Sequence, residues 1–144
     1  MTRFLDSKTT QNASYANSIS IPITVINTPQ LVAQQTLNLS GGIANFTRVG
    51  FTGVVAIQLP LLPVATNVLV TVVRGLTPSD LIVFSASENL NLSILGPQLI
   101  AFTGSDFNAP NNPSVPYTVF VQVSALGTTR VGPESFNFTA YSDF

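Results

Sequence analysis

Val115-Pro-Tyr-Thr-Val-Phe-Val-Gln-Val123 alternates without a break. Val115, Tyr117, Val119, Val121 and Val123 fall on one side, and Thr118, Phe120, Gln122 and Ser124 on the other. Strand side chains repeat every second residue, so the stretch predicts a β-strand with one wholly apolar face. Ala125–Arg130 reads as a turn. Val131–Tyr141 then alternates again, with Phe136, Phe138 and Ala140 opposite Ser135, Asn137, Thr139 and Tyr141. The two runs predict a terminal hairpin with Val facing Phe, because β-branched and aromatic cross-strand pairs pack well on a pleated surface.

Working outward, the rest of the chain repeats this grammar. Ser18–Ile26, Leu31–Leu39, Ile43–Val49, Phe51–Leu59, Val68–Arg74, Leu81–Ser87, Leu90–Leu95 and Leu99–Thr103 read as strands. Pro22 lacks a donor and assigns its strand to a sheet edge or start. Gly50 and Gly53 predict a bulge or bend. Pro60-Leu-Leu-Pro63 exposes apolar side chains in a loop. Val68–Arg74 is nearly continuously apolar, the pattern of a central strand covered on both faces. Gly104–Pro116 is the longest loop. No segment has helical periodicity with caps. Many short strands between turn signals predict an all-β fold, an antiparallel β-sandwich of jelly-roll type.

Residues 1–18 read as an extended N-terminal arm, and residues 19–144 as the sandwich domain. The arm is polar and lacks a strand period. Fully extended it spans on the order of 60 Å, enough to cross a neighbouring domain. One placement lays it on another subunit as a donor strand, with Phe4 and Leu5 as anchors and Arg3 and Tyr15 as further subunit contacts; the other folds it back on its own sheet.

Charged residues make up only 8% of the chain, against roughly 25% in ordinary soluble domains. The polar surface must therefore be Ser, Thr, Asn and Gln. Such a surface is wet but weakly repulsive, which favours a protein that assembles over one that diffuses freely. Net charge is −1. Arg3, Lys8, Arg48, Arg74 and Arg130 are scattered without a basic stripe, which argues against nucleic acid as a partner. No apolar run reaches the roughly 18 residues of a membrane span, and residues 1–8 have no signal-peptide core.

The chain has no Cys and no His. That removes disulfides, thiolate chemistry, the commonest general base and the commonest metal ligand. Asp106, with Ser105, Asn108, Asn111 and Asn112, forms an oxygen-rich loop, but Ca²⁺ takes about 6–8 oxygens and one carboxylate is too few. Glycoside hydrolysis needs paired carboxylates, and nothing places Asp80, Glu88, Asp106 or Glu134 in pairs. Glu88 with Arg74, and Glu134 with Arg130, read as surface ion pairs. The expectation is a non-enzyme with no catalytic residues, no cofactor and no metal. The Asn-x-Ser/Thr matches, such as Asn45-Phe-Thr47, are expected by chance at this composition.

Four pieces carry a family likeness: Met1-Thr-Arg3, Val72-Val-Arg-Gly75, Val115–Val123 and Val131-Gly-Pro-Glu-Ser-Phe136. On these the chain resembles the exosporium protein C-like family of spore-forming Bacilli, and more broadly the jelly-roll subunits of endospore appendages. The resemblance implies a spore-surface protein, in the exosporium or an appendage, made without a secretory signal. It implies a homo-oligomer, a filament or sheet, with other spore-coat or exosporium proteins as partners. Appendage subunits add an N-terminal strand to a neighbour and cross-link by cysteine; without cysteine, this chain is left with strand addition and apolar burial. The leading expectation is thus a structural, self-assembling subunit joined non-covalently by arm exchange and edge-strand addition. Two alternatives stand beside it: a trimeric jelly-roll binding module with a pocket near residues 104–116, and a phage or virus structural protein.

Overall fold

The strand predicted over Val115–Val123 forms and lies inside one of two sheets. The computed structural model describes residues 1–144 and contains nine strands and no helix. They are β1 (Thr2–Ala13), β2 (Ile21–Pro22), β3 (Gln30–Leu37), β4 (Thr47–Gln58), β5 (Asn67–Arg74), β6 (Leu81–Asn89), β7 (Gln98–Asp106), β8 (Val115–Val123) and β9 (Thr129–Asp143). One sheet runs β1-β9-β4-β7, with β2 also on β9; the other runs β3-β8-β5-β6. All pairings are antiparallel and they are nested: β1 on β9, β3 on β8, β4 on β7, β5 on β6. The chain is one long ribbon, rolled until β9 meets β4 and β8 meets β5. This is a jelly roll of two packed sheets, as the strand grammar predicts.

The predicted terminal hairpin does not form. β8 and β9 are consecutive in sequence but belong to opposite sheets. Each has an apolar face that its own sheet must turn inward, and the two faces meet across the sandwich. The Tyr117 ring stacks on Phe138 with centroids 6.0 Å apart. Phe138 continues to Phe51 (6.2 Å), Phe51 to Phe84 (5.7 Å), Phe84 to Phe102 (5.6 Å) and Phe102 to Phe136 (6.3 Å). This aromatic run crosses between the sheets three times and forms the spine of the core. Gly53 faces inward beside it: a Cβ there would lie within 2.6 Å of the Phe102 and Phe136 rings. Gly53 thus makes room for two aromatics and bends nothing.

Ile43–Val49 and Phe51–Leu59 are not two strands; β4 runs unbroken through Gly50. Leu90–Leu95 is a turn, not a strand. The Gln98 side chain accepts from Asn91 N (2.8 Å) and donates to Asn91 O (2.9 Å), so a side chain supplies the pairing a neighbouring strand would have supplied. The predicted first strand shrinks to β2, which takes over the edge of β9 where β1 stops: Ala13 pairs with Glu134, and Ile21 with Arg130. Asn17 and Asn27 bracket this segment in left-handed backbone, at φ 58° and 51°. β5 buries Val68, Val70 and Val72 on one face; on the other Val73 is buried and Leu69 and Thr71 are partly shielded, so the second face is fully covered at Val73 alone.

Residues 2–13 of the predicted arm are β1, folded back on the chain's own sheet from Thr2 opposite Asp143 to Ala13 opposite Glu134. The strand lacks a period because it buries almost nothing: only Leu5, Asp6, Thr10 and Ala13 are shielded to any degree. Its backbone hydrogen bonds hold it, and these leave no trace in side-chain pattern.

Candidate assembly surfaces

The four predicted contact residues divide between the two ends of the molecule. Arg3, Phe4 and Leu5 lie together near both termini and line, with Asn38, Ser40 and Gly41, a shallow groove of about 280 Å³. Arg3 donates from Nη2 to Gly41 O at 2.6 Å. Phe4 is 62% exposed and meets Tyr141 edge-on at 6.4 Å. Leu5 packs against the core. Tyr15 follows the far end of β1, roughly 35 Å away by strand rise, and is exposed. Within one chain the first three tie β1 down.

Two sheets leave four edges, and each strand edge is a template for another chain. β1 carries Arg3, Asp6 and Lys8 and two register shifts. β3 has a register shift and is stitched to β1 by the Gln35 side chain, which donates to Thr9 O at 3.0 Å. β6 has a register shift against β5 and carries Glu88. β7 pairs with β4 without a shift, and residues 98–105 contain no charge and no proline. β7 is the least guarded edge.

The ionisable residues are mostly used internally. Asp106 is buried at the end of β7. Arg74 donates from Nε to Oδ2 (2.8 Å) and from Nη2 to Oδ1 (2.9 Å), and the Tyr117 hydroxyl donates to Oδ2 (2.7 Å). Burial alone would raise this carboxyl; the Arg74 and Tyr117 hydrogen bonds, with the Arg74 charge, outweigh it and hold Asp106 below the usual carboxylate range. Burial, then the hydrogen bond to Asp106, pushes the Tyr117 phenol far up. Arg74 is raised chiefly by its bond to Asp106. It also holds Asn108 O at 2.9 Å, which pins the 107–114 loop. Both Asp106 oxygens are thus taken by protein donors, and the oxygen-rich loop is organised around a guanidinium.

The predicted Glu88–Arg74 pair does not form. Register places Glu88 opposite Val68 and Arg74 opposite Leu81, about 20 Å apart along the ribbon. Glu134 and Arg130 do pair, but inside the protein: the side chains are 0% and 9% exposed, with Arg130 Nε 2.6 Å from Oε2. Asn12 donates to the same carboxylate (2.9 Å) and to Val32 O (2.7 Å), joining β1, β3 and β9. Asp80 accepts from the backbone of Thr77 and Leu76, which lowers it and closes the 75–80 turn. No helix is long and apolar enough to cross a membrane.

No protein-family model matches the chain, and a comparison with curated proteins finds no match. Solved structures do match. A subviral particle of infectious bursal disease virus VP2 aligns at TM-score 0.54 and 12% identity, over 98% of this chain and 37% of that chain. The Gx strain of the virus aligns at TM-score 0.56 and 10% identity, over 98% and 32%. A further viral particle of the same virus aligns at TM-score 0.52 and 12% identity, over 98% and 35%. The chain spans roughly a third of the length of these proteins. At such identity the likeness is one of fold: the whole chain is similar to the jelly roll of a virus-particle protein.

Proposed function

We propose that the chain is a structural, self-assembling jelly-roll subunit, a building block of a protein shell of the viral type. The surface carries the reading. Twenty-two large apolar side chains are exposed, against eleven charged residues in all, four of which are spent in the Arg74–Asp106 and Arg130–Glu134 pairs. A freely diffusing domain keeps the opposite balance. The fold likeness to virus-particle proteins supports it. Negative-stain microscopy of the purified protein at neutral pH is expected to reveal uniform shells, sheets or filaments. Particles of single-chain size at every concentration would overturn the reading.

Within such an assembly β1 is the candidate exchanged element. Moving it from its own β9 to a neighbour's β9 repeats every ladder bond and needs only the 14–20 connection to straighten. Thr9 faces Asn137 in this pairing, with a side-chain hydrogen bond of 2.8 Å. Opposed strand positions suit disulfide geometry, and the chain has no other cysteine. Thr9→Cys with Asn137→Cys, oxidised in the assembled state, is expected to give a covalent ladder on a non-reducing gel. A single-chain band would place β1 at home and confine assembly to other surfaces.

A spore-surface layer is a second setting for the same subunit. The likeness of Val72–Gly75, Val115–Val123 and Val131–Phe136 to exosporium proteins favours it, with other coat or exosporium proteins as partners. Immunogold labelling confined to the outer layer of spores is the expected result there. A ligand-binding head has less support. The pocket beside the 104–116 loop, lined by Ala44, Asn45 and residues 108–111, is about 160 Å³, below the about 300 Å³ where ligand sites begin.

A further inference from the structure

Half of the exposed large apolar side chains gather at one end of the sandwich. The antiparallel order brings four connections together there: residues 14–29, 59–66, 90–97 and 124–128. The first carries four such side chains, the second three, the third three and the fourth one. Leu61 is 93% exposed, Leu62 86%, Leu95 80% and Tyr15 76%. None of these four segments contains a charged residue, whereas Arg3, Arg48, Asp80 and Asp143 lie toward the other end.

The connections are also held in place. Ile23 N donates to Thr128 O (3.0 Å), Asn27 N to Val123 O (2.8 Å), Ser124 N to Asn67 O (3.0 Å) and Leu90 N to Thr66 O (3.0 Å). A surface this apolar and this pre-ordered loses little conformational freedom on binding. At these exposures it presents on the order of 1,000 Å² of apolar area, comparable with the about 800 Å² per partner of a standard interface.

We infer that this uncharged tip is an interface, and that its occupant is the tip of a second copy of the chain. The inference rests on the self-assembly reading above and names one of its contacts. Leu61 and Leu62 project as knobs. The same tip holds a groove of about 420 Å³ lined by Ala65, Thr66, Asn67, Leu90, Leu92 and Ser124. An isologous contact needs one patch to hold both knob and socket, and this patch does. A charged lipid surface fits less well, because surface-seeking apolar loops are flanked by Lys or Arg and this tip has none. A glycan fits less well too: Tyr15 is the sole aromatic of the four connections, and the carboxylate beside them, Glu88 at the end of β6, stands alone.

The test is sedimentation velocity of the full chain across a concentration series, with Leu61→Ser/Leu62→Ser and, on a different connection, Leu95→Ser. The substituted side chains are exposed, so circular dichroism and Tm should match the unaltered protein. The expected result is a self-association constant weakened at least about tenfold by the double substitution, weakened in the same direction by Leu95→Ser, and unchanged by Leu81→Ser on β6. If the unaltered protein associates and the Leu61/Leu62 variant associates equally well, the tip is not the contact, while self-assembly through other surfaces stands. If the unaltered protein stays monomeric throughout, both readings fall. Flotation of that monomer with neutral phosphatidylcholine vesicles, abolished by the same substitutions, would then assign the tip to lipid.

Discussion

Asp106 shows how far one residue's meaning depends on what the fold brings to it. In sequence it belongs to a loop of Ser and Asn; in the structure its carboxylate is held by Arg74 from β5 and Tyr117 from β8. Its folded pKa lies below its unfolded value. The pair therefore contributes stability that is fully present above about pH 4 and is lost as pH falls through the lower, folded value. Asp106→Asn is expected to cost about 3 kcal/mol at neutral pH, because Arg74 is left without its counter-charge. It should also flatten the fall in stability on acidification, as urea titrations at a series of pH values will measure. An unchanged pH slope would move the acid sensitivity to another carboxylate, such as Asp143 beside Arg48 and Thr2. Gly53 is a second case. Gly53→Ala would press on Phe102 and Phe136 and is expected to cost about 1–3 kcal/mol. Gly96→Ala, with nothing within 4 Å of the new methyl, should be neutral within about 0.5 kcal/mol. Equal effects in thermal melts would refute the ring-clearance account.

Among the elements, strands that bury one face were legible and strands that bury none were not. β8 and β9 show their period because alternate residues are driven inward; their apolar sides hold Tyr117, Phe136 and Phe138, all essentially inaccessible. β1 is as long as β4 yet invisible, since it is held by main-chain bonds along an edge. Leu90–Leu95 alternates convincingly yet forms a turn, because no neighbouring strand is placed to pair with it and Gln98 pairs with Asn91 instead. Edge chemistry leads to a prediction for β7. Ala101 and Thr103 are exposed on an uncharged, unshifted edge. Ala101→Lys or Thr103→Lys should reduce heat-induced light scattering while shifting stability by no more than about 0.5 kcal/mol. A lysine on β7 that leaves aggregation untouched would mean that growth starts elsewhere.

For the whole molecule, the nested order ties the first strand to the last, so the sheets close only when the ends of the chain meet. Long-range closure of this kind is entropically costly before contacts repay it, and refolding is expected in the millisecond-to-second range. Stopped-flow fluorescence through the tyrosines will read it. Relaxation in microseconds would contradict the dependence on β1–β9 closure. The same rolling gathers four uncharged loops at one end, where the nearby charges are the lone Glu88 and the buried Arg130–Glu134 pair. No local reading of Leu61, Leu95 or Leu126 shows that they share a surface.

The sequence by itself determined the class of the protein. Period-two alternation, the lack of helical pattern, the absence of Cys and His, and the scarcity of charge are local or compositional, and each acts through side chains that burial sorts one strand at a time. Tertiary structure decided what depends on partners distant in the chain. It separated β8 from β9, laid β1 on β9, gave Asp106 to Arg74 and Tyr117, buried the Arg130–Glu134 pair, and assembled the apolar tip. Hydrogen bonds and ion pairs join residues up to 143 positions apart, as where Phe144 N donates to Met1 O, and their energy belongs to the meeting of two segments rather than to the pattern of either.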